Sequence, residues 1–209
     1  MAYPIARWSF LPFVRLFTKH IEGTEHIPTD QPVVLTANHL GLFDPLFIGA
    51  VYVSQTKKKL RFLVNTRNFF WKTIGITLQH WTNTIPKHAN RRDEAIDRAV
   101  KAVQAGDSIG LFPEGQVNTS PTLLAGRSGA VRISLRSQAP LLPVGIANTD
   151  VPLATVIGRR FANRQEGITI RFGQPYQPVG DPDDPATVQS LTDGLMHRIA
   201  MLSRKVYAY

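Results

Sequence analysis

The chain has 209 residues, 43% of them hydrophobic, enough to bury a sizeable core in one domain. With 19% charged residues it is not a disordered polyelectrolyte. With no cysteine it has no disulfide, no Cys-ligated zinc and no cysteine nucleophile. The 24 Lys+Arg against 15 Asp+Glu leave +9, which favours an anionic partner: nucleic acid, a membrane surface or a phosphorylated small molecule. The charge is local, because Pro45 to Arg92 holds nine basic residues and no acid. A solvated basic face is the plain explanation for it, above all for the run Lys57-Lys58-Lys59.

In chain order, Phe10, Phe13, Val14, Phe17 and Ile21 fall on one helical face, with Arg15, Thr18 and Lys19 opposite. The pattern predicts a helix from near Ser9, with Pro12 in its first turn. Such a helix suits a membrane interface or ordinary packing on the core. Arg7, Arg15 and Lys19 break up the N-terminal apolar residues, unlike a signal peptide. Pro32 to Ala37 reads as a buried strand and Pro45 to Val53 as a helix. No apolar run exceeds its nine residues, against the roughly 20 needed to cross a bilayer. Arg61 to Val64 predicts a strand, and the aromatic-rich residues 68 to 81 predict a helix interrupted by Gly75. Asp93 to Ala105 opens on acids, carries Ile96, Ala99, Val100 and Val103 on one face, and closes at Gly106 as a helix should. Ser108 to Phe112 is a predicted strand, Gly129 to Ser137 a helix, and Leu141 to Ala147 and Gly167 to Phe172 are strands. Residues 175 to 185 read as loop and Leu191 to Tyr207 as the last helix. Alternating strands and helices predict an α/β fold with a mostly parallel central sheet and helices on both faces.

In such sheets the loops after the carboxyl ends of strands carry the chemistry. Two loops qualify. In Asn38-His39-Leu40-Gly41-Leu42-Phe43-Asp44-Pro45, His39 and Asp44 are five residues apart, which places them about 140° apart on a straight helix. They meet only if the chain turns, and Gly41 permits a turn. A carboxylate on one imidazole nitrogen leaves the other free to take a proton from a hydroxyl. Alternatively, Asp44 caps a helix that has Pro45 at its first position, and His39 merely satisfies a main-chain carbonyl. The second loop, Phe112-Pro113-Glu114-Gly115-Gln116, means little alone.

Taken together and in order, these segments resemble the glycerolipid (lysophospholipid) acyltransferases, typified by 1-acylglycerol-3-phosphate acyltransferase. The resemblance rests on Asn38-His39-x4-Asp44, on Phe112-Pro113-Glu114-Gly115 about 70 residues later, and on Leu142-Pro143-Val144-Gly145-Ile146. Glu22 to Pro28 is similar to the family's lead-in strand, and Gly126 to Val131 to its helix start. The similarity runs over roughly residues 21 to 172, in a glycerol-3-phosphate acyltransferase-like fold. It implies residues 21 to 209 as the acyltransferase domain, preceded by the helix of residues 1 to 20.

The resemblance implies His39 as general base and Asp44 as the residue that orients it. An acceptor hydroxyl would attack the thioester of acyl-CoA or acyl-carrier protein, which serve as cosubstrates, with no cofactor and no metal. Asn38, Lys87, Pro113, Glu114, Gly115, Arg127 and Pro143 are the candidate substrate-binding residues. Gly126-Arg127-Ser128-Gly129 departs from Gly-x-Ser-x-Gly, so no nucleophile for an acyl-enzyme is evident. The family's Phe-Pro-Glu-Gly-Thr-Arg-Ser becomes Gln116-Val117-Asn118 after the glycine, so Val117 stands where a phosphate-binding arginine is expected. Lys87 or His88 stands near a second family arginine, and Asn65 where a lysine is common. Either Arg67, Arg91, Arg92 or Arg127 substitutes, or the acceptor is another hydroxylated lipid, such as a glycolipid or aminolipid; the second option is slightly preferred. Membrane lipids are the expected partners of the basic stretch, on a protein held peripherally at a membrane from the cytoplasm. A non-catalytic lipid-binding module on the same fold is the alternative. No nucleic-acid-binding motif is readable.

Overall fold

The structure is a computed structural model that describes residue 14 and residues 17–65, 84–87, 92–150 and 167–209. Seven strands form one sheet: β1 (Thr18–Glu22), β2 (Val34–Ala37), β3 (Leu60–Asn65), β4 (Ile85–Lys87), β5 (Ser108–Leu111), β6 (Leu141–Ala147) and β7 (Ile168–Phe172). Among the described residues, four α-helices cover it: α1 (Asp44–Thr56), α2 (Arg92–Gln104), α3 (Gly129–Ser137) and α4 (Pro185–Ser203). The strand order is β1-β7-β6-β2-β5-β3-β4. Every neighbouring pair is parallel except β6 with β7. The expected α/β architecture with a mostly parallel sheet is therefore what the chain adopts.

Alternation along the central strands explains the two cores. Leu35 and Ala37 of β2 join Leu142, Val144 and Ile146 of β6 against Phe47, Ile48 and Val51 of α1. Val34, one residue out of phase with Leu35, joins Ile109, Leu111 and Leu141 on the opposite face, under α2, α3 and α4. Strands buried on both faces read as continuous apolar runs, as Val33-Val34-Leu35 does. Each large side chain so buried stabilises the fold by about 1.5–3 kcal/mol relative to exposure.

This topology aligns three loops. β2 lies between β5 and β6, parallel to both, so the segments following Ala37, Leu111 and Ala147 leave the sheet at the same edge.

Two expected elements are corrected. Of the helix expected over residues 10 to 21, residues 10–13, 15 and 16 lie outside the described residues, and Thr18 to Glu22 form β1 instead. Val14 and Phe17 are buried as the helical pattern requires, but Thr18 to Glu22 pair in parallel with β7. The Thr18 hydroxyl donates to the Val14 carbonyl at 2.7 Å, marking the junction. The last helix begins at Pro185, six residues before the expected start, and ends at Ser203 rather than Tyr207. Asp184 caps it by accepting from the Ala186 and Thr187 amides, with Pro185 in the first turn. The helix expected over residues 68 to 81 lies outside the described residues. Among the described residues no helix is long and apolar enough to cross a membrane.

Candidate active site

The turn after β2 brings His39 and Asp44 together. The Asp44 amide donates to the Gly41 carbonyl at 3.2 Å, closing a tight turn just ahead of α1. Gly41 is needed there for space, because a Cβ would sit 2.5 Å from the Thr149 carbonyl oxygen. Asp44 does not cap α1; Phe43 holds the cap position without a side-chain bond. The carboxylate instead turns back into the loop. Its Oδ2 accepts from His39 Nδ1 at 2.8 Å and from the Leu40 and Gly41 amides at 2.6 and 2.9 Å. Its Oδ1 accepts from the Thr149 hydroxyl at 2.5 Å. Asp44 is wholly buried, so these four donors replace the water it has lost.

A carboxylate only accepts, so Nδ1 is the nitrogen that donates to Asp44, and in a neutral imidazole the lone pair is then on Nε2. The His39 side chain is 18% exposed, against 0% for Asp44. The ring is fixed from the side as well. Phe112 stacks on it with centroids 4.1 Å apart and 16° between planes, and Phe62 stacks on Phe112 at 5.8 Å. Gly110 leaves room for the Phe62 ring, which occupies the place of its missing Cβ.

The loop after β5 clamps the main chain of His39. Glu114 is buried, and its Oε1 accepts from the His39 amide at 3.2 Å. Its Oε2 accepts from Asn118 Nδ2 at 2.6 Å and from the Leu124 amide at 3.0 Å. The Asn118 amide donates to the His39 carbonyl at 2.7 Å. Both main-chain polar groups of His39 are thus held by one loop.

The candidate substrate-binding residues separate into three groups. Asn38 is buried and spent on the scaffold: Nδ2 donates to the Ile146 carbonyl at 2.9 Å and Oδ1 accepts from the Ile146 amide at 2.8 Å. Glu114 is likewise committed to protein donors. Pro143 lies buried within β6, where its carbonyl accepts from the Gly173 amide. Pro113, Gly115 and Arg127 lie close together, with Pro113 buried and Arg127 exposed. The Pro113 carbonyl accepts from the Arg127 amide at 2.9 Å. Gly115 has φ of 75°, and a Cβ on it would fall 2.5 Å from Arg127 Nε, so the guanidinium lies against this glycine. Arg127 is exposed and has no carboxylate partner among the described residues. Val117, two residues after Gly115, is 49% exposed. Lys87 ends β4, opposite Asn65, with its side chain outside the described residues. His88, Arg67 and Arg91 lie outside them too, as does the side chain of Arg92.

Three contributors escaped the sequence reading. Asn118 marked only a departure from a motif, and Thr149 and Lys205 carried no signal. The Lys205 ammonium donates to the Asn118 and Ser120 carbonyls at 3.1 and 2.5 Å. Burial pushes its pKa down, opposed by the charges of Glu114, Asp150 and Asp44.

Residues 19–147, more than half of the chain, match the family described as Acyltransferase. The chain belongs to the Acyltransferase family. This acyltransferase-family chain is 26% identical over 135 residues to a 1-acyl-sn-glycerol-3-phosphate acyltransferase of Borreliella burgdorferi, covering 62% of itself and 51% of that protein. It is 22% identical over 190 residues to the human 1-acyl-sn-glycerol-3-phosphate acyltransferase alpha, covering 89% of itself and 64% of that protein. The chain spans about half the length of several curated relatives it matches. Its fold matches the crystal structure of the 1-acyl-sn-glycerophosphate (LPA) acyltransferase PlsC from Thermotoga maritima. The TM-score there is 0.67 at 19% identity, covering 97% of this chain and 81% of that one.

Proposed function

We propose that the protein transfers a fatty acyl group from a thioester donor to a hydroxyl of a lysophospholipid, with His39 as general base. The observation that carries this reading is the His39–Asp44 pair, in which every group around the buried carboxylate is a donor. Asp44 holds the proton on Nδ1, so Nε2 takes the proton of the acceptor hydroxyl as its oxygen attacks the thioester carbonyl. The new ester C–O bond forms and the C–S bond breaks. The leaving thiolate takes the same proton back from Nε2, and the enzyme returns to its starting state. No acyl-enzyme is required, and the chain has no cysteine to form one.

Acyl-CoA and acyl-carrier protein both present the required thioester. The 1-acyl-sn-glycerol-3-phosphate acyltransferases among the relatives support a phosphate-bearing acceptor. Arg127 supports it as well: its guanidinium, with no carboxylate partner among the described residues, lies against Gly115, two residues before Val117, which replaces the family's cation. The excess of basic residues supports work at an anionic membrane surface.

The test is thiol release from long-chain acyl-CoA and from acyl-carrier protein, with acylated products identified by mass spectrometry. The acceptors are lysophosphatidic acid, zwitterionic lysophospholipids and phosphate-free hydroxylated lipids. Diacylated product from lysophosphatidic acid is expected. Product only from phosphate-free acceptors would overturn the assigned acceptor, and liposome binding without turnover by either donor would leave a non-catalytic lipid-binding module.

A further inference from the structure

The end of the chain reaches the site from outside the matched stretch of residues 19–147. α4 ends in a Schellman arrangement: Arg204 takes a left-handed φ of 57°, its amide donates to the Met201 carbonyl, and the Lys205 amide donates to the Ala200 carbonyl. That turn sends the chain back toward the loop after β5. There Val206 forms a parallel bridge with Thr122. The Leu123 amide donates to the Val206 carbonyl at 2.8 Å, and the Val206 amide to the Pro121 carbonyl at 3.0 Å. Tyr207 is buried behind this contact and donates to Asp193 of α4 at 2.7 Å. The backbone of Lys205 is therefore held on both sides.

We propose that Lys205 is a positioning residue for His39, acting through the Asn118 main chain. Its ammonium draws the carbonyls of Asn118 and Ser120 onto one cation. Asn118 is where the hold on His39 converges. Its amide holds the His39 carbonyl, and its side chain holds the Glu114 carboxylate that accepts from the His39 amide. Bonds from a cation to main-chain carbonyls are charge-assisted and stronger than neutral ones. Against the effect of its burial, the charges of Glu114, Asp150 and Asp44 also favour the charged form of Lys205. Removing it loosens Asn118 and lets His39 drift from its reacting geometry. A displacement near 1 Å costs roughly 100-fold in rate.

This inference rests on the acyl-transfer reading for its kinetic arm, and amide exchange tests it without that reading. Lys205→Met and Lys205→Arg are compared with wild type, with Lys205→Gln as a second neutral variant. The expected result for Lys205→Met is a fall in kcat of about tenfold or more, with KM within about twofold. Lys205→Arg, which keeps the charge and the donors, restores most of kcat. The His39 and Asn118 amides exchange about tenfold faster in the Met variant, while the β2 amides stay protected. Unchanged exchange at those two amides in both neutral variants overturns the proposal, whatever the rates. So does a loss of turnover confined to KM. Faster exchange in a protein whose wild type turns over no acceptor leaves the tether standing and removes the acyl-transfer reading.

Discussion

The loops after β2 and β5 leave the same edge of the sheet, yet they treat their polar groups in opposite ways. The first, residues 38 to 44, turns inward. Asn38 is spent on Ile146, and Asp44 is surrounded by donors. In the proposed reaction its working atom is Nε2 of His39. The second loop, residues 112 to 118, is divided. Glu114 and Asn118 face the first loop, while Gln116 and Val117 face solvent. In the proposed reaction the buried half holds the base and the exposed half meets the acceptor, and there the residue expected to carry a cation is an apolar one. On that reading acceptor recognition can change without disturbing the base.

The predictions probe that division, beginning with the inward turn. Asp44→Asn replaces the orienting carboxylate with an amide that cannot satisfy all four donors. It should lower kcat/KM by about 10²–10⁴-fold while circular dichroism still reports the α/β fold. Near-wild-type turnover would mean that the pair does not act as a base. Glu114→Gln tests the buried half of the second loop. Its two oxygens accept three bonds, and an amide nitrogen must face at least one donor. The expected cost is about 1–3 kcal/mol in urea unfolding, with turnover falling as well. A variant as stable as wild type would show that the clamp on His39 is not closed as described. Arg127→Ala tests the exposed half. It should raise KM for a phosphate-bearing acceptor about tenfold with kcat nearly unchanged, and Val117→Arg should lower it by a smaller factor. A kcat effect from either would erase the boundary between the two halves.

His39 and Asp44 were legible because both lie within one turn of six residues and the strand before it is plainly buried. The family resemblance supplied their roles, and the structure supplies the partners. Thr149 and Asn118 reach the pair from other loops, and no spacing in the sequence announces a contact across 105 residues. Lys205 lies beyond the apparent end of the similarity and could not be placed. The exposed Arg127 was one candidate cation of four, and it is the one whose side chain lies among the described residues, against Gly115. In the fold, the central strands were readable from continuous β-branched runs. β1 was not, because Thr18 to Glu22 carry both helical spacing and strand-compatible residues, and pairing with the distant β7 decides between them. α4 was begun late because Asp184 and Pro185 sit in a segment whose Pro and Gly content reads as loop, although the pair is a helix-start signal. The antiparallel pairing of β7 with β6 is likewise a long-range outcome that no local pattern encodes.

The most direct measurement is thiol release from long-chain acyl-CoA with lysophosphatidic acid as acceptor, wild type beside His39→Ala. The absence of cysteine means that the protein contributes no thiol of its own. The account predicts release by the wild type and a loss of about 10²–10⁴-fold in a folded His39→Ala variant. Equal release by a folded His39→Ala variant would contradict it, because the base at the centre of the site would then have no part in the reaction.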